Sequence, residues 1–159
     1  AELPPGEIGE LCFHKTNVVQ GYWKRPGLLE ESIVGDWFRT GDYALVDDQG
    51  YLYLKGRKKD MIICGGENVY ANEVEIVLCG HEGVLEAAVV GVEATGMLAY
   101  LGEIVKAVIV PKPGYALTEP DIKRYCSAKL PTYKAPRIVE FRDALPRTPS
   151  GKVRKRELK

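Results

Sequence analysis

Three short clusters hold the residue types in this sequence that could do chemistry. Trp37-Phe38-Arg39-Thr40-Gly41-Asp42 ends on a carboxylate at a glycine turn. There Asp42 can accept two hydrogen bonds from vicinal hydroxyls such as those of a ribose, or it can order its own turn. In Gly56-Arg57 a forked guanidinium suits ribose or phosphate oxygens, and it suits solvated surface equally. Pro146-Arg147-Thr148-Pro149-Ser150-Gly151-Lys152-Val153 sets one lysine on a rigid turn, a way of delivering a point charge into a site. It is not a P-loop, because Pro146 stands where a glycine is required five residues ahead of Gly-Lys. A basic surface tail is the other reading. A nucleic-acid patch would need interleaved aromatics for base stacking, and the cluster has none.

Between the second and third clusters, residues 56–75 run GRKKDMIICGGENVYANEVE. Charge gives way to an apolar strand, then to the pair Gly65-Gly66, then to a helix start. Flexible cationic backbone beside a rigid element suits an anionic ligand or a joint between two bodies.

The whole chain bounds these readings. Its 159 residues, 45% hydrophobic and 28% charged, are enough to build a core, and the net charge is zero. The charge is uneven: residues 129–159 hold ten Lys/Arg against three Asp/Glu, a surplus of seven. Cys12, Cys64, Cys79 and Cys126 form no CxxC pair, and with only His14 and His81 beside them they suggest reduced thiols in a cytoplasmic protein rather than a metal site. No signal peptide, membrane-spanning run or repeat is expected.

Residues 1–58 read as β-rich. Strands are expected at 8–13, 37–39, 43–46 and 51–54, with a hairpin turn at Asp47-Asp48-Gln49-Gly50. This segment is too short and open to bury both faces of such a sheet, and is expected to be the edge of a larger domain. Residues 60–159 read as β-α-β-β-α-β, an α+β sandwich whose helices cover a sheet of about three strands. Strands are expected at 61–64, 87–92, 104–110 and 138–141. Asn72 would cap the first helix and Gly80 stop it. Thr118 with Asp121 would cap the second, which buries Ile122, Tyr125, Cys126 and Leu130 and ends at Pro131. Residues 146–159 would form a polar, basic tail.

Taken together, WFRTGD at 37–42, GRKKDMIICGGENVYANEVE at 56–75 and LPRTPSGKVRKREL at 145–158 resemble the C-terminal part of the acyl-adenylate-forming enzymes. That superfamily holds the acyl-CoA synthetases, beetle luciferases and peptide-synthetase adenylation domains. The resemblance covers essentially every residue. It implies that residues 1–58 are the last β-subdomain of a large, otherwise absent N-terminal domain, and that residues 59–159 are a mobile C-terminal lid. By position, Asp42 would bind the ATP ribose with help from Arg57, Lys152 would be the adenylation lysine, and Lys59 the hinge. Gly65 and Gly66 would line the pantetheine channel.

The implied reaction joins a fatty or aryl carboxylic acid to CoA through acyl-AMP. ATP and CoA are the implied co-substrates, Mg²⁺ would be held mainly by the N-terminal domain, and neither a nucleic-acid partner nor a membrane span is implied. Delivery to a carrier-protein thiol is an alternative, as is a stand-alone nucleotide- or polyanion-binding module. Cys64 and Ala71 replace the Ser and Pro frequent in relatives. Leu101 stands where CoA synthetases often carry a Trp that stacks on the CoA adenine, so that contact is not implied. The phosphate loop and acyl pocket of the superfamily belong to the N-terminal domain. The chain alone is therefore expected to form no acyl-CoA, and detectable ATP–pyrophosphate exchange by it would contradict that expectation.

Overall fold

The computed structural model describes residues 2–159, and the chain divides after Lys59 into two compact units. In the first unit four strands form one sheet: β1 (Gly9–His14), β2 (Ile33–Val34), β3 (Trp37–Val46) and β4 (Leu52–Arg57). β3 is the common partner, pairing antiparallel with each of the other three. Sequence reasoning split this strand in two around Thr40-Gly41-Asp42, but the strand is continuous. Glu10 faces Tyr43 and Cys12 faces Arg39, so Leu11 alone stands opposite three residues of a bulge. Gly41, at φ +75°, allows the bulge. β4 also runs three residues past its expected end and so includes Arg57. Little of this unit is buried: among its described residues only Leu29 and Ala44 lie in the core.

The second unit begins with a hairpin of β5 (Met61–Cys64) and β6 (Glu67–Tyr70). Here the expectation of a glycine loop leading straight into a helix fails. Gly65 and Gly66 both have positive φ, +61° and +85°, and form the two-residue turn of the hairpin. Because the hairpin extends to Tyr70, helix α1 (Ala71–Cys79) takes Tyr70 as its N-cap, and Asn72 lies inside the first turn rather than capping it. The order is therefore β-β-α-β-β-α-β.

β7 (Val84–Glu93), β8 (Glu103–Pro111) and β9 (Ile138–Phe141) form a three-stranded sheet, antiparallel between β7 and β8 and parallel between β8 and β9. Helix α2 (Glu119–Ser127) supplies the crossover that a parallel pair requires. It ends at Ser127, three residues short of the expected stop before Pro131. At its N-terminus Thr118 offers no hydroxyl cap; instead the Asp121 carboxylate reaches back to the Thr118 hydroxyl and backbone N–H, one half of a capping box.

Side chains alternate along the central strands. Val89, Val105, Ala107 and Ile109 face α1 and α2, meeting Val74, Leu78, Ile122 and Cys126. Burial among these apolar groups pushes the Cys126 thiol up to about 11, which makes it structural rather than reactive. Ala88, Val90, Val108 and Val110 point the other way, onto Leu145 and Leu158 with Val153. Residues 146–159 are thus not merely a polar tail. They cover the second face of the sheet, with Leu158 fully buried at the end of a short 3-10 turn (Lys155–Leu158).

Leu158→Ala should therefore cost about 2–5 kcal/mol. Both helices lie in the second unit, so ellipticity at 222 nm during urea unfolding reports it, while Trp23 and Trp37 report the first. A loss within about 0.5 kcal/mol, as at an ordinary surface position, would return the segment to a solvated tail.

Candidate functional site

In the first unit the β3 bulge and the end of β4 bring two of the expected site residues together. Asp42 and Arg57 are register partners, and Arg57 Nε lies 3.4 Å from Asp42 Oδ1. The bulge interrupts the ladder, and the Thr40 side chain replaces the lost bonds. Its hydroxyl donates to the Leu11 carbonyl at 2.8 Å and accepts the Asp42 N–H at 3.0 Å. Both Asp42 and its arginine retain solvent contact, 33% and 56% exposed. The result is a residue whose backbone is fixed by Thr40 and whose carboxylate is met on one side by a guanidinium, with acceptor capacity left over. Sequence reasoning missed Thr40, although a hydroxyl two residues ahead of an acid is a recognisable local-bonding signal.

A second carboxylate nearby was also missed. Glu10 accepts from Nε of Arg39 at 3.0 Å and again from its Nη2, and it lies 3.3 Å from Nζ of Lys58. The two Arg39 donors first, and Lys58 with them, all meet one oxygen, Oε2, and hold the Glu10 carboxyl below its ordinary range. Lys59, the residue singled out as a joint, is exposed and closes the first unit. Among the described residues its side chain has no partner.

In the second unit the glycine hairpin is held by the segment that leads into β8. Gly65 N–H donates to the Leu101 carbonyl at 2.8 Å, Cys64 bridges to Gly102, and the Glu103 carboxylate accepts the Ile63 N–H at 3.0 Å. A Cβ on Gly65 would come 3.1 Å from Leu101 Cδ2, so Leu101 packs against the turn itself. The adjoining 3-10 stretch (Gly96–Leu101) leaves Met97 and Tyr100 exposed.

Lys152 sits at the end of a small closed loop. Arg147 and Val153 form an isolated bridge, and Thr148 and Lys152 bond backbone to backbone at 2.8 Å. The Thr148 hydroxyl accepts the Lys152 N–H at 3.1 Å, and Gly151, at φ +83°, makes the turn. Arg147 spans the loop and the sheet, donating to the Gly151 carbonyl and to Glu86 of β7, each at 2.7 Å. Further along, Lys155 pairs with Glu75 of α1 at 2.7 Å, and Glu75 also accepts the Val89 N–H on the open edge of β7 at 2.8 Å. The backbone around Lys152 is thus pinned on both sides, whereas its exposed ammonium has no protein partner among the described residues. Arg147 and its partner Glu86 lie 61 positions apart, and nothing local in the sequence announces them.

Asp42, Arg57 and Lys59 belong to the first unit, and Gly65, Gly66 and Lys152 to the second. Among the described residues no group of three or more His, Cys, Asp or Glu side chains is placed to hold a metal ion. Nor is any helix long and apolar enough to cross a membrane.

Comparison with known proteins adds to this geometry. The family model for the AMP-binding enzyme C-terminal domain matches residues 73–152. The chain is 46% identical over 158 residues to a long-chain-fatty-acid–CoA ligase of Escherichia coli O6:H1, which covers 99% of this chain and 27% of that protein. It is 42% identical over 158 residues to the fatty acid–[acyl-carrier-protein] ligase ScoC of Streptomyces coeruleorubidus, covering 99% and 30%. Among solved structures, o-succinylbenzoate CoA synthetase of Bacillus subtilis, in complex with the acyl-adenylate intermediate OSB-AMP, is similar with a TM-score of 0.88 and 36% identity, over 99% of this chain and 31% of that one. The chain thus spans under a third of the length of these relatives.

The Glu10 cluster has a pH consequence whose sign is fixed. A carboxyl held below its ordinary value of 4.5 adds stability that is present above that value and lost as pH falls through the lower, folded one. Acid should therefore weaken the first unit from about pH 4.5 downward, read by tryptophan fluorescence, and Glu10→Gln should flatten that decline. An unchanged acid slope in the variant would show that Glu10 is not a contributor.

Proposed function

This chain belongs to the AMP-binding enzyme C-terminal domain family, and from that premise we propose that it forms the C-terminal part of an ATP-dependent acyl-CoA synthetase. The complete enzyme activates a carboxylic acid, fatty or aryl, as acyl-AMP and passes the acyl group to CoA in the cytoplasm. Residues 1–58 are the last β-subdomain of its large domain, and residues 59–159 its mobile lid. The exposed Leu52, Tyr53 and Leu54 on both faces of β4 support a first unit that packs against more protein than itself.

The observation that carries the reading is Lys152, an unpaired cation on a loop clamped to a folded sheet. In the first half-reaction a substrate carboxylate oxygen attacks the α-phosphorus of ATP and the bond to pyrophosphate breaks. Two anions must approach, and an ammonium between them offsets the repulsion and stabilises the charge that develops in the transition state. A pinned backbone lets the charge arrive without reorganising. Asp42 accepts the ribose hydroxyls, and Arg57 holds its carboxylate in place. In the second half-reaction the CoA sulfur attacks the acyl carbon and AMP leaves. That step needs a channel rather than a cation, and the side-chain-free Gly65-Gly66 turn offers backbone that a pantetheine arm can pass closely. Lys59 is the pivot between the two arrangements. Mg²⁺ on the pyrophosphate is not assigned to residues of this chain, since no suitable cluster occurs among the described residues.

A carrier-protein thiol as acceptor is the second reading. It is favoured by the similarity to a carrier-protein ligase and by Leu101, which packs on the hairpin where an aromatic could have stacked on adenine. Product formation that does not depend on CoA would select it.

In the complete enzyme, Lys152→Ala should slow acyl-AMP formation about 10²–10³-fold while sparing thioester formation from supplied acyl-AMP. Lys59→Pro should spare one half-reaction and cripple the other. Equal loss of both half-reactions in both variants would reject the division of labour.

A further inference from the structure

The restraint that the first unit places on the chain ends over a single residue. Arg57, the last residue of β4, is paired with Asp42. Lys58 is paired with Glu10, whose side chain is only 16% exposed and is itself fixed by Arg39. Lys59 has no side-chain partner among the described residues, and the division between the units falls immediately after it.

These three steps differ in what anchors them. The Asp42–Arg57 contact comes with strand pairing, which stops at that pair. Beyond it Lys58 has left the ladder and opens a short 3-10 turn (Lys58–Asp60), and Glu10 is its side-chain anchor. Glu10 can serve because its position is set by β1 and by a forked guanidinium rather than by the contact with Lys58.

We propose that Glu10 is a positioning residue that makes Lys58 the last restrained residue of the first unit and thereby confines the pivot to Lys59. The inference deepens the hinge reading given under the proposed function and rests on it for its purpose. Its physical content, the tethering of Lys58, stands apart from that reading. Without Glu10 only that single turn would hold Lys58, and rotation would be shared among several bonds instead of one. A lid that must reach two defined positions needs few soft bonds, since each additional one multiplies the unproductive orientations.

Trypsin reads this tether directly, because it cleaves after Lys58 only when the side chain is free to enter the protease. In the full chain, Glu10→Gln should speed cleavage after Lys58 about two- to five-fold, the range expected for losing one partly exposed ion pair. Cleavage after Lys152, exposed in the second unit and without a side-chain partner among the described residues, serves as the internal reference and should not change. Asp36→Asn, which breaks the Lys15–Asp36 pair between the end of β1 and the start of β3, separates tethering from general loosening of β1 and β3. It leaves Glu10, Arg39 and Lys58 untouched, so cleavage after Lys58 should be unchanged. Should Glu10→Gln fail to fold, the wild-type chain supplies the same information. Raising ionic strength from about 0.01 M to about 1 M shortens the screening length from about 30 Å to about 3 Å, and the Lys58-to-Lys152 cleavage ratio should rise. Equal acceleration in both variants, no acceleration in Glu10→Gln, or a salt-independent ratio would each overturn the tether. Failure of the pivot itself appears instead in the half-reactions of Lys59→Pro, so the two ideas can fail separately.

Discussion

The sheet of β7, β8 and β9 has two apolar faces, and three strands cannot bury either one by themselves. Two-sided burial is the constraint on which the second unit depends. α1 and α2 meet one face through Val74, Leu78, Ile122 and Cys126; Leu145, Val153 and Leu158 meet the other. Each fully buried Leu, Ile or Val contributes roughly 1.5–3 kcal/mol relative to exposure. The segment that makes the second cover also carries Lys152 between its apolar anchors, so the covering of the sheet and the presentation of the lysine are one structural act. The ion pairs Arg147–Glu86 and Lys155–Glu75 add direction to this arrangement more than they add energy.

The first unit works by a different rule. It has almost no core of its own, and its order comes from strand pairing and side-chain bonds to backbone. β3 is bulged where its ladder to β1 fails, and Thr40 repairs the failure with two hydrogen bonds. The bulge turns Asp42 toward Arg57 on the opposite edge. What looks in the sequence like a glycine turn is therefore a way to aim a carboxylate out of a continuous strand.

Strand periodicity made β7, β8 and β9 legible, because β-branched runs bounded by glycine and proline have few other destinations. The second face of the sheet was less legible. Leu145, Val153 and Leu158 are spread among basic residues, and only the fold reveals that they share a side. Gly65-Gly66 misled for another reason. The pair fits a loop and a two-residue hairpin turn equally well, and the choice depends on whether Glu67–Tyr70 finds a partner in Met61–Cys64. Asp42 and Arg57 could be named from local pattern, and their pairing rests on a strand longer than its apolar residues suggest. Glu10, Glu75 and Glu86 could not be singled out. A glutamate among 22 acidic residues carries no mark of a partner dozens of positions away.

The order of burial in the second unit also has a temporal side. Val108 and Val110 are made some 50 residues before Leu158, the group that finally covers them. At a synthesis rate of about 5–20 residues per second, one face of the β7–β8 hairpin waits roughly 3–10 s without its cover. A pair of apolar strands with one bare face is the kind of species that associates with its own kind. Newly made chains therefore pass through an interval in which that face is open to association.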